Sequence, residues 1–168
     1  MNYEQVAISS NLRLFSYPEQ ARKAVESGLN LATTSLHGNK KIHNAITRTP
    51  QSFQQTVKGI KNLKKEGVEV GVNTVVNSLN IKNINNLKEV IDSLGVSWSF
   101  LDLIPEGLAL NLYNDLKVNY SVISKVFSSL IEKGSEASYF SFFDYPYCVF
   151  SEETINNPKI NFITARER

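Results

Sequence analysis

The two histidines of this chain, His37 and His43, lie in one short segment, TTSLHGNKKIHN (33–44). A helical metal pair places its imidazoles about four residues apart, whereas these two lie six apart across a Gly-Asn turn with no third ligand nearby. We therefore expect no zinc or other metal site in this segment. The spacing alone leaves two roles open for the rings, one in acid–base chemistry and one in holding local structure.

Other polar residues gather where short apolar segments end. Four such clusters occur: Ser9-Ser10-Asn11, Ser35-Leu36-His37-Gly38, Asn73-Thr74 with Asn77, and Pro105-Glu106-Gly107. In parallel α/β folds, binding sites form at the carboxyl ends of the strands. Four clusters are more than structural turns require, so the pattern predicts a convergent polar mouth.

A helix–glycine–strand unit repeats along the first two-thirds of the chain and must position these clusters. Gly28, Gly67 and Gly95 each close a helical pattern and precede an apolar strand. The three strands read LNLATTSL, VEVGVNTVV and VSWSFLDLI. Glycine just past a helix end adopts the left-handed backbone conformation without steric cost, which explains its place in each unit.

The remaining elements complete an alternating order. Helices are predicted from Pro18, from Thr49-Pro50, along the stripe Leu87, Val90, Ile91 and Leu94, and from about Ser121; further strands are predicted at 5–10 and 139–143. The order β-α-β-α-β-α-β-α-β indicates an α/β fold with parallel strands. Periodicity does not distinguish a doubly wound sheet from a barrel. From about Ser151 we predict an irregular tail.

Composition excludes several classes of protein. The chain has 168 residues, 42% of them hydrophobic and 20% charged, which is typical of one globular domain spanning 1–168. A formal net charge of +2 does not indicate binding to nucleic acid or to an anionic membrane. We find no membrane span and no signal peptide. A single cysteine, Cys148, excludes an internal disulfide and favours a reducing, cytoplasmic location.

Several segments together carry a family resemblance. They are ISSNLRLF, SLHG followed by HNAIT and SFQQTVKGIKNLKKEG, VNTVVNSLN, and FLDLIPEGLA. In this order and spacing, from about Val6 to Gly107, they resemble successive strand ends of the radical S-adenosylmethionine (radical SAM) superfamily. The resemblance implies a full or partial (β/α) barrel of the TIM type. It also implies an enzyme that binds S-adenosylmethionine and a [4Fe–4S] cluster and uses a 5′-deoxyadenosyl radical to modify its substrate.

The sequence departs from the family at the cluster. Members hold three irons through a CxxxCxxC motif, which this chain lacks, as it also lacks the GGE-like strand that follows. Two explanations stay open: a fragment or split-gene product without the N-terminal barrel segment, or a degenerate paralogue. Met1 directly precedes a strand that lies third in the family's barrel, and the strand ends keep their polar residues. We therefore favour a fragment of an active oxidoreductase or transferase.

The resemblance assigns roles to the first two clusters. Ser10 and Asn11 match the family's Thr-Asn, where the hydroxyl helps to hold the methionyl carboxylate of the cofactor. Leu12 stands where members often have glycine, so the local turn is expected to differ; a simple Ser- or Asx-type turn is the structural alternative. Ser35 matches the serine of the SLHG or SLD pattern and would contact the methionyl or ribose part of the cofactor.

The resemblance separates the two histidines. His37 is the candidate catalytic residue, a polar or proton-handling group near the substrate. His43 matches the HD-x-IT pattern and is expected to fix the loop, together with Asn44 and Thr47, over the start of a helix.

The later strands supply the remaining candidates. Asn73 and Thr74 end a strand where members place residues near cofactor and substrate, and Asn77 and Asn80 are expected to organise the following turn. The main chain of Ile104 matches the position that borders adenine.

Two further residues have open roles. Asp102 is expected to form either a core-adjacent salt bridge or a substrate contact. We expect Cys148 to be a buried cysteine that behaves as a small hydrophobe, because one cysteine cannot hold a cluster.

Two other classes of function compete with an enzyme. The first is a noncatalytic half-barrel subunit that binds a partner or ligand. The second is an unrelated metabolite-binding α/β barrel that uses Ser10, Ser35 and Asn73 for an anionic ligand. The substrate, a peptide or a small metabolite, is not identified by the sequence.

Overall fold

Six parallel strands form one sheet in the computed structural model, which describes residues 4–107, 109–133 and 139–163. The strands are β1 (Ala7–Ser9), β2 (Leu31–Ser35), β3 (Glu69–Val75), β4 (Ser97–Leu101), β5 (Phe140–Phe143) and β6 (Ile160–Ile163). The helices are α1 (Pro18–Glu26), α2 (Lys40–Thr47), α3 (Ser52–Lys65), α4 (Ile84–Leu94), α5 (Ala109–Leu116), α6 (Tyr120–Glu132) and α7 (Glu152–Ile155).

Strand order identifies the architecture. The strands lie side by side in chain order, β1-β2-β3-β4-β5-β6, and every pair is parallel. A doubly wound sheet reverses its order at a switch point, whereas a (β/α) barrel adds each strand next to the previous one. The expected α/β class is therefore confirmed, with the order of a partial barrel. Within the described residues, β1 and β6 each pair on one side only.

The two faces of the sheet differ in burial. Alternate strand residues such as Val72, Trp98 and Phe100 are at most 2% exposed and join one hydrophobic core with side chains of α3, α4 and α6. The intervening residues, among them Ser35 and Asn73, are only partly buried. Because successive strand residues point to opposite faces, the helices cover one face, and the other is available to a ligand or to further chain.

Local backbone signals account for four of the helix ends. Gly28, Gly67 and Gly95 have φ angles of 100°, 86° and 58°, so each adopts the left-handed conformation expected of it. Pro18 opens α1 as predicted. The next predicted helix start is displaced, because α3 begins at Ser52 rather than at Pro50.

Four elements were not predicted from the sequence. The segment around His43 forms its own helix, α2, and α5 precedes the predicted helix α6. The prediction of an irregular tail from Ser151 is wrong: this part contains α7, and β6 pairs along β5. A four-residue strand in a polar segment has little local signal, and the neighbouring strand supplies its hydrogen bonds. None of the described helices has the length and apolar character to cross a membrane.

Candidate functional site

A row of polar residues crosses the uncovered face near the carboxyl ends of the strands. Strand register pairs Ser35 with Asn73, Asn73 with Ser99, Ser99 with Ser141, and Ser141 with Asn161. Residues paired in this way share a face, with their side chains adjacent. The row therefore presents hydroxyl and amide groups side by side, and it contains no charged residue.

An apolar row lies next to it toward the mouth. Val75, Leu101, Phe143 and Ile163 are register partners on β3 to β6, two residues beyond the members of the polar row. All four are partly buried. The uncovered face of the sheet thus changes from a row of hydrogen-bonding side chains to a row of apolar side chains. This arrangement suits a ligand with both a polar and a flat apolar part.

Of the predicted cofactor residues, the structure brings Ser35 and Asn73 together and uses Ser10 differently. Ser10 follows Ser9, whose register partner is Thr33. Its hydroxyl oxygen accepts a hydrogen bond from the Leu12 backbone N–H at 3.1 Å. This is the Ser-type turn that the sequence offered as the structural alternative.

The turn at 10–12 is held by hydrogen bonds of Asn11 and places Leu12 in the left-handed region. Asn11 Oδ1 accepts from the Arg13 N–H at 3.1 Å, and the Asn11 carbonyl accepts from Thr56 Oγ1 at 3.0 Å. Leu12 has a φ of 51°, in the left-handed region, and its side chain is 1% exposed. Burial of Leu12 offsets the conformational cost that glycine would avoid at this position.

The two histidines contact each other. Their rings stack with centroids 5.7 Å apart, and the His37 backbone N–H donates to His43 Nδ1 at 3.2 Å. His43 is 2% exposed and its ring also meets the edge of Phe53. His37 Nδ1 is buried, with no hydrogen-bond partner in the described part of the chain.

Burial keeps both rings neutral near pH 7. It lowers the pKa of His37 from 6.5 to about 4. Burial also lowers the pKa of His43 to about 4, and repulsion from His37 adds to the effect. Because His43 Nδ1 accepts a hydrogen bond, the neutral ring carries its proton on Nε2.

The segment after His43 is fixed as expected from the sequence. Thr47 Oγ1 donates to the His43 carbonyl at 2.9 Å. Asn44 Oδ1 accepts from Ser52 Oγ at 3.0 Å and from the Phe53 N–H at 2.9 Å, so it caps the start of α3. The expectation that His43, Asn44 and Thr47 hold this loop over a helix start is confirmed.

The end of β3 combines a core residue with a turn. Thr74 is fully buried, donates to the Leu36 carbonyl at 2.6 Å and accepts from Trp98 Nε1 at 2.9 Å, so it faces the core and not a ligand. Asn77 and Asn80 hold the turn as expected, since Asn80 Oδ1 accepts from the Asn77 N–H at 2.9 Å.

Ile104 and Asp102 lie beyond β4. Ile104 is 49% exposed, and its carbonyl accepts from the Glu106 N–H at 2.9 Å. Asp102 accepts a hydrogen bond from the Tyr120 hydroxyl at 2.5 Å and lines a cavity of about 240 Å³. Burial raises the pKa of Asp102, and the Tyr120 hydrogen bond opposes that rise. Among the described residues, Asp102 is thus hydrogen-bonded to the phenol of Tyr120 and forms no ion pair.

Cys148 is exposed, so the expectation of a buried cysteine is wrong. It lies in a short 3-10 turn, Tyr147–Val149, of which only Val149 is buried. The aromatic residues on both sides in the sequence suggested a core segment, whereas the turn directs Tyr147 and Cys148 outward.

Sequence reasoning also missed Ser99, Ser141 and the cavity beside Ser35. The serines alternate with large apolar residues in SWSFL and FSFF, a period-two signal that places them on the face opposite the core. The cavity has a volume of about 190 Å³ and is lined only by polar residues, including Asn11, Arg13, Ser35 and His43. It draws on segments distant in sequence, which no local pattern connects.

Comparison with curated proteins shows several relatives. The chain is 30% identical over 97 residues to an AdoMet-dependent heme synthase of Nitratidesulfovibrio vulgaris, covering 56% of this chain and 26% of the relative. It is 28% identical over 118 residues to a Pyrobaculum aerophilum protein named "Probable GTP 3′,8-cyclase", covering 67% of this chain and 37% of the relative. It is 26% identical over 112 residues to an Fe-coproporphyrin III synthase of Methanosarcina barkeri, covering 66% and 28%.

This chain therefore spans between about a quarter and two-fifths of the length of these relatives. No family model matches the sequence. Among solved structures, the xylanase Xyn30A of glycoside hydrolase family 30 from Clostridium acetobutylicum gives a TM-score of 0.42 at 10% identity, over 94% of this chain and 48% of that chain. That similarity is too low to bear on function.

Proposed function

Since this chain belongs to the radical SAM superfamily, we propose that it forms the central and later strands of a barrel that binds S-adenosylmethionine and a [4Fe–4S] cluster. When bound, the cofactor and cluster would supply a 5′-deoxyadenosyl radical that modifies the substrate. We propose a peptide or a small metabolite as substrate, without choosing between them. A cytoplasmic location agrees with the lone thiol of the sequence.

The observation that carries this proposal is the pairing of Ser35 with Asn73 on the uncovered face. A hydroxyl and an amide can donate to carboxylate or ribose oxygens without adding charge. The adjacent apolar row, with Val75 and Leu101, offers contact area for the flat part of a nucleoside. These residues fit the cofactor. Ser10 and Asn11 would contribute mainly by shaping the neighbouring turn.

The residues of this chain do not provide the ligands of a [4Fe–4S] cluster. Its single cysteine cannot replace a CxxxCxxC motif. We therefore propose that the cluster ligands belong to a barrel segment outside this sequence, which would add to the side of β1 that pairs with no described strand. A strand with an unpaired row of backbone donors and acceptors is suited to parallel addition of another strand.

We propose that His37 handles a proton near the substrate. It follows Ser35 by two residues at the same strand end, and its low pKa makes it a neutral donor or acceptor at pH 7. Its side-chain Nδ1 has no partner in the described residues, so that atom is available if the ring moves toward a ligand.

One observation favours a second function. The lack of a cysteine triad is compatible with a half-barrel subunit, or a degenerate paralogue, that binds a ligand without catalysing a reaction. Such a subunit would keep the paired side chains of Ser35 and Asn73 for binding and would form no radical.

The test combines this chain with a polypeptide that carries CxxxCxxC, followed by anaerobic cluster reconstitution and quantitation of 5′-deoxyadenosine. We expect product with the pair and none with either part alone. Binding of S-adenosylmethionine without any 5′-deoxyadenosine would support the noncatalytic subunit instead. If neither occurs, both functions are refuted.

Point variants then test the site. Ser35→Ala should weaken S-adenosylmethionine binding by about tenfold, because a hydrogen bond to a charged group contributes on the order of 1.5 kcal/mol. Ser97→Ala is the matched control, one layer further from the mouth on the same face. His37→Ala should spare cofactor binding and reduce turnover; the reverse pattern would mean that the two roles are exchanged.

A further inference from the structure

The polar cavity beside Ser35 is also lined by Arg13 and His43, which the proposed cofactor contacts do not include. It lies where the turn after β1, the end of β2 and the helices α2 and α3 meet, and no acidic residue lines it. Its lining consists of four hydroxyl-bearing residues of the α2–α3 region (Thr47, Thr49, Ser52 and Thr56) and of Asn11, Arg13, Ser35 and His43.

The hydroxyl groups of the α2–α3 region already use their protons. Thr49 donates to the Thr47 carbonyl at 3.1 Å, and Thr56 donates to the Asn11 carbonyl at 3.0 Å. Thr47 and Ser52 lie 2.6 Å apart with either as donor, and their other acceptors are the His43 carbonyl at 2.9 Å and Asn44 Oδ1 at 3.0 Å. A hydroxyl has one proton to donate. The donors left for a ligand are therefore those of the other four lining residues.

His43 supplies the most constrained of these donors. Its Nδ1 accepts from the His37 N–H, which leaves the proton of the neutral ring on Nε2. The side chain is 2% exposed and lines the cavity, and Nε2 has no hydrogen-bond partner in the part of the chain that the structure describes. An N–H that lines a cavity and donates to no described protein atom can donate to a ligand there.

Arg13 supplies the charge. Its Nε donates to Gln55 Oε1 at 2.6 Å, which orients the guanidinium and leaves the terminal nitrogens free of that contact. No carboxylate forms an ion pair with Arg13 within residues 4–107, 109–133 and 139–163. The cavity therefore carries one uncompensated positive charge, together with the Nε2–H of His43 and the hydroxyl of Ser35.

We propose that this cavity binds the carboxylate group of a small organic ligand, with Arg13 providing the charge and His43 Nε2–H and the Ser35 hydroxyl donating hydrogen bonds. A guanidinium matches the planar geometry of a carboxylate. Two sources could bring this group, S-adenosylmethionine itself or a second ligand such as the substrate. The inference rests on the proposed function only for the identity of that source.

The experiment uses the full chain labelled with 15N-histidine. The free chain should show His43 protonated on Nε2 and not on Nδ1; the opposite tautomer overturns the proposal. Sodium acetate should shift the His43 signals and raise the His43 pKa, since a bound anion stabilises the imidazolium. Sodium chloride at equal ionic strength should have no such effect, and equal shifts with both salts would overturn the site.

Variants and ligands complete the test. Arg13→Gln should raise the acetate dissociation constant by about tenfold, because a charge-assisted hydrogen bond is lost. Arg22→Gln, on the exposed side of α1, should leave it unchanged; equal effects would refute the role of Arg13. If S-adenosylmethionine shifts His43 and its decarboxylated form does not, the cofactor is the source. If acetate acts and S-adenosylmethionine does not, a second ligand is the source. Both results are independent of 5′-deoxyadenosine formation.

Discussion

Two buried threonines on neighbouring strands allow a controlled measurement of what holds this sheet together. Thr74 on β3 and Thr34 on β2 are 0% and 2% exposed, and both face the helices. Thr74 Oγ1 links the Leu36 carbonyl to Trp98 Nε1. Thr34 Oγ1 has no partner in the described residues. The same substitution, threonine to valine, therefore removes two hydrogen bonds in one case and none in the other.

We expect Thr74→Val to lower the free energy of unfolding by about 2–4 kcal/mol. The change strands a buried N–H and a buried carbonyl, each costing about 1–3 kcal/mol, and the added methyl group returns roughly 0.8 kcal/mol. Thr34→Val should be neutral or should stabilise the protein by about 1 kcal/mol, because it removes an unpaired buried hydroxyl.

Urea denaturation of both variants gives the comparison. Trp98 is the single tryptophan and is 2% exposed, so its fluorescence reports unfolding directly. Circular dichroism supplies a second probe, since Thr74→Val also changes the surroundings of the indole. Equal effects of the two substitutions would refute the reasoning, because hydrogen bonding would then not distinguish these sites.

Three other predictions follow from the contacts of the site. Gly59→Ala should destabilise the protein by about 1–2 kcal/mol in urea denaturation despite better helix propensity, because the added Cβ would lie 2.2 Å from the Leu12 carbonyl oxygen; Lys58→Ala is the control, and a stabilised Gly59→Ala would disprove this packing. Stability should fall as pH drops from 6.5 toward about 4, since the unfolded chain binds protons that the buried rings reject. His43 alone accounts for roughly 3 kcal/mol of this, and the slope should be smaller in His37→Asn; an unchanged slope would argue against it. Tyr120→Phe should raise the pKa of Asp102 further in a carbon-13 titration, because a hydrogen bond to its carboxylate is lost; a lower pKa would contradict the assignment. In the native protein Asp102 holds its proton more tightly than in the unfolded chain, so its contribution to stability decreases as pH rises through the raised pKa.

Local chemistry in the sequence determined the alternation of helices and strands. Gly28, Gly67 and Gly95 mark helix ends because only glycine adopts a positive φ freely, and each is followed by its predicted strand. Parallel pairing follows from the same repeat, since a helix between two strands returns the chain to the same end of the sheet. The turn at Asn77 and Asn80 was also predictable, because its hydrogen bonds span at most five residues.

The polar row that contains Ser35 and Asn73 could be identified only once the strand register was known. Ser35 and Asn73 are neighbours only because β2 and β3 pair in one alignment, and a shift of one residue would turn one of them toward the core. The family pattern pointed to Ser10 in the same role, but its hydroxyl serves the adjacent Leu12 N–H. A strand-end serine has both options, and the sequence gives no means of choosing between them.

The polar cavity beside Ser35 forms only in the tertiary structure, and no local sequence pattern predicts it. Arg13 and Gln55 meet across 42 residues of chain, and the tautomer of His43 depends on a backbone N–H six residues away across a turn. The exposure of Cys148 and the pairing of β6 likewise depend on how the last segments pack. Hydrophobic periodicity and glycine conformations act within a few residues and are visible in the sequence, whereas burial, proton position and the partner of a charged group are set by atoms that only the folded chain brings together.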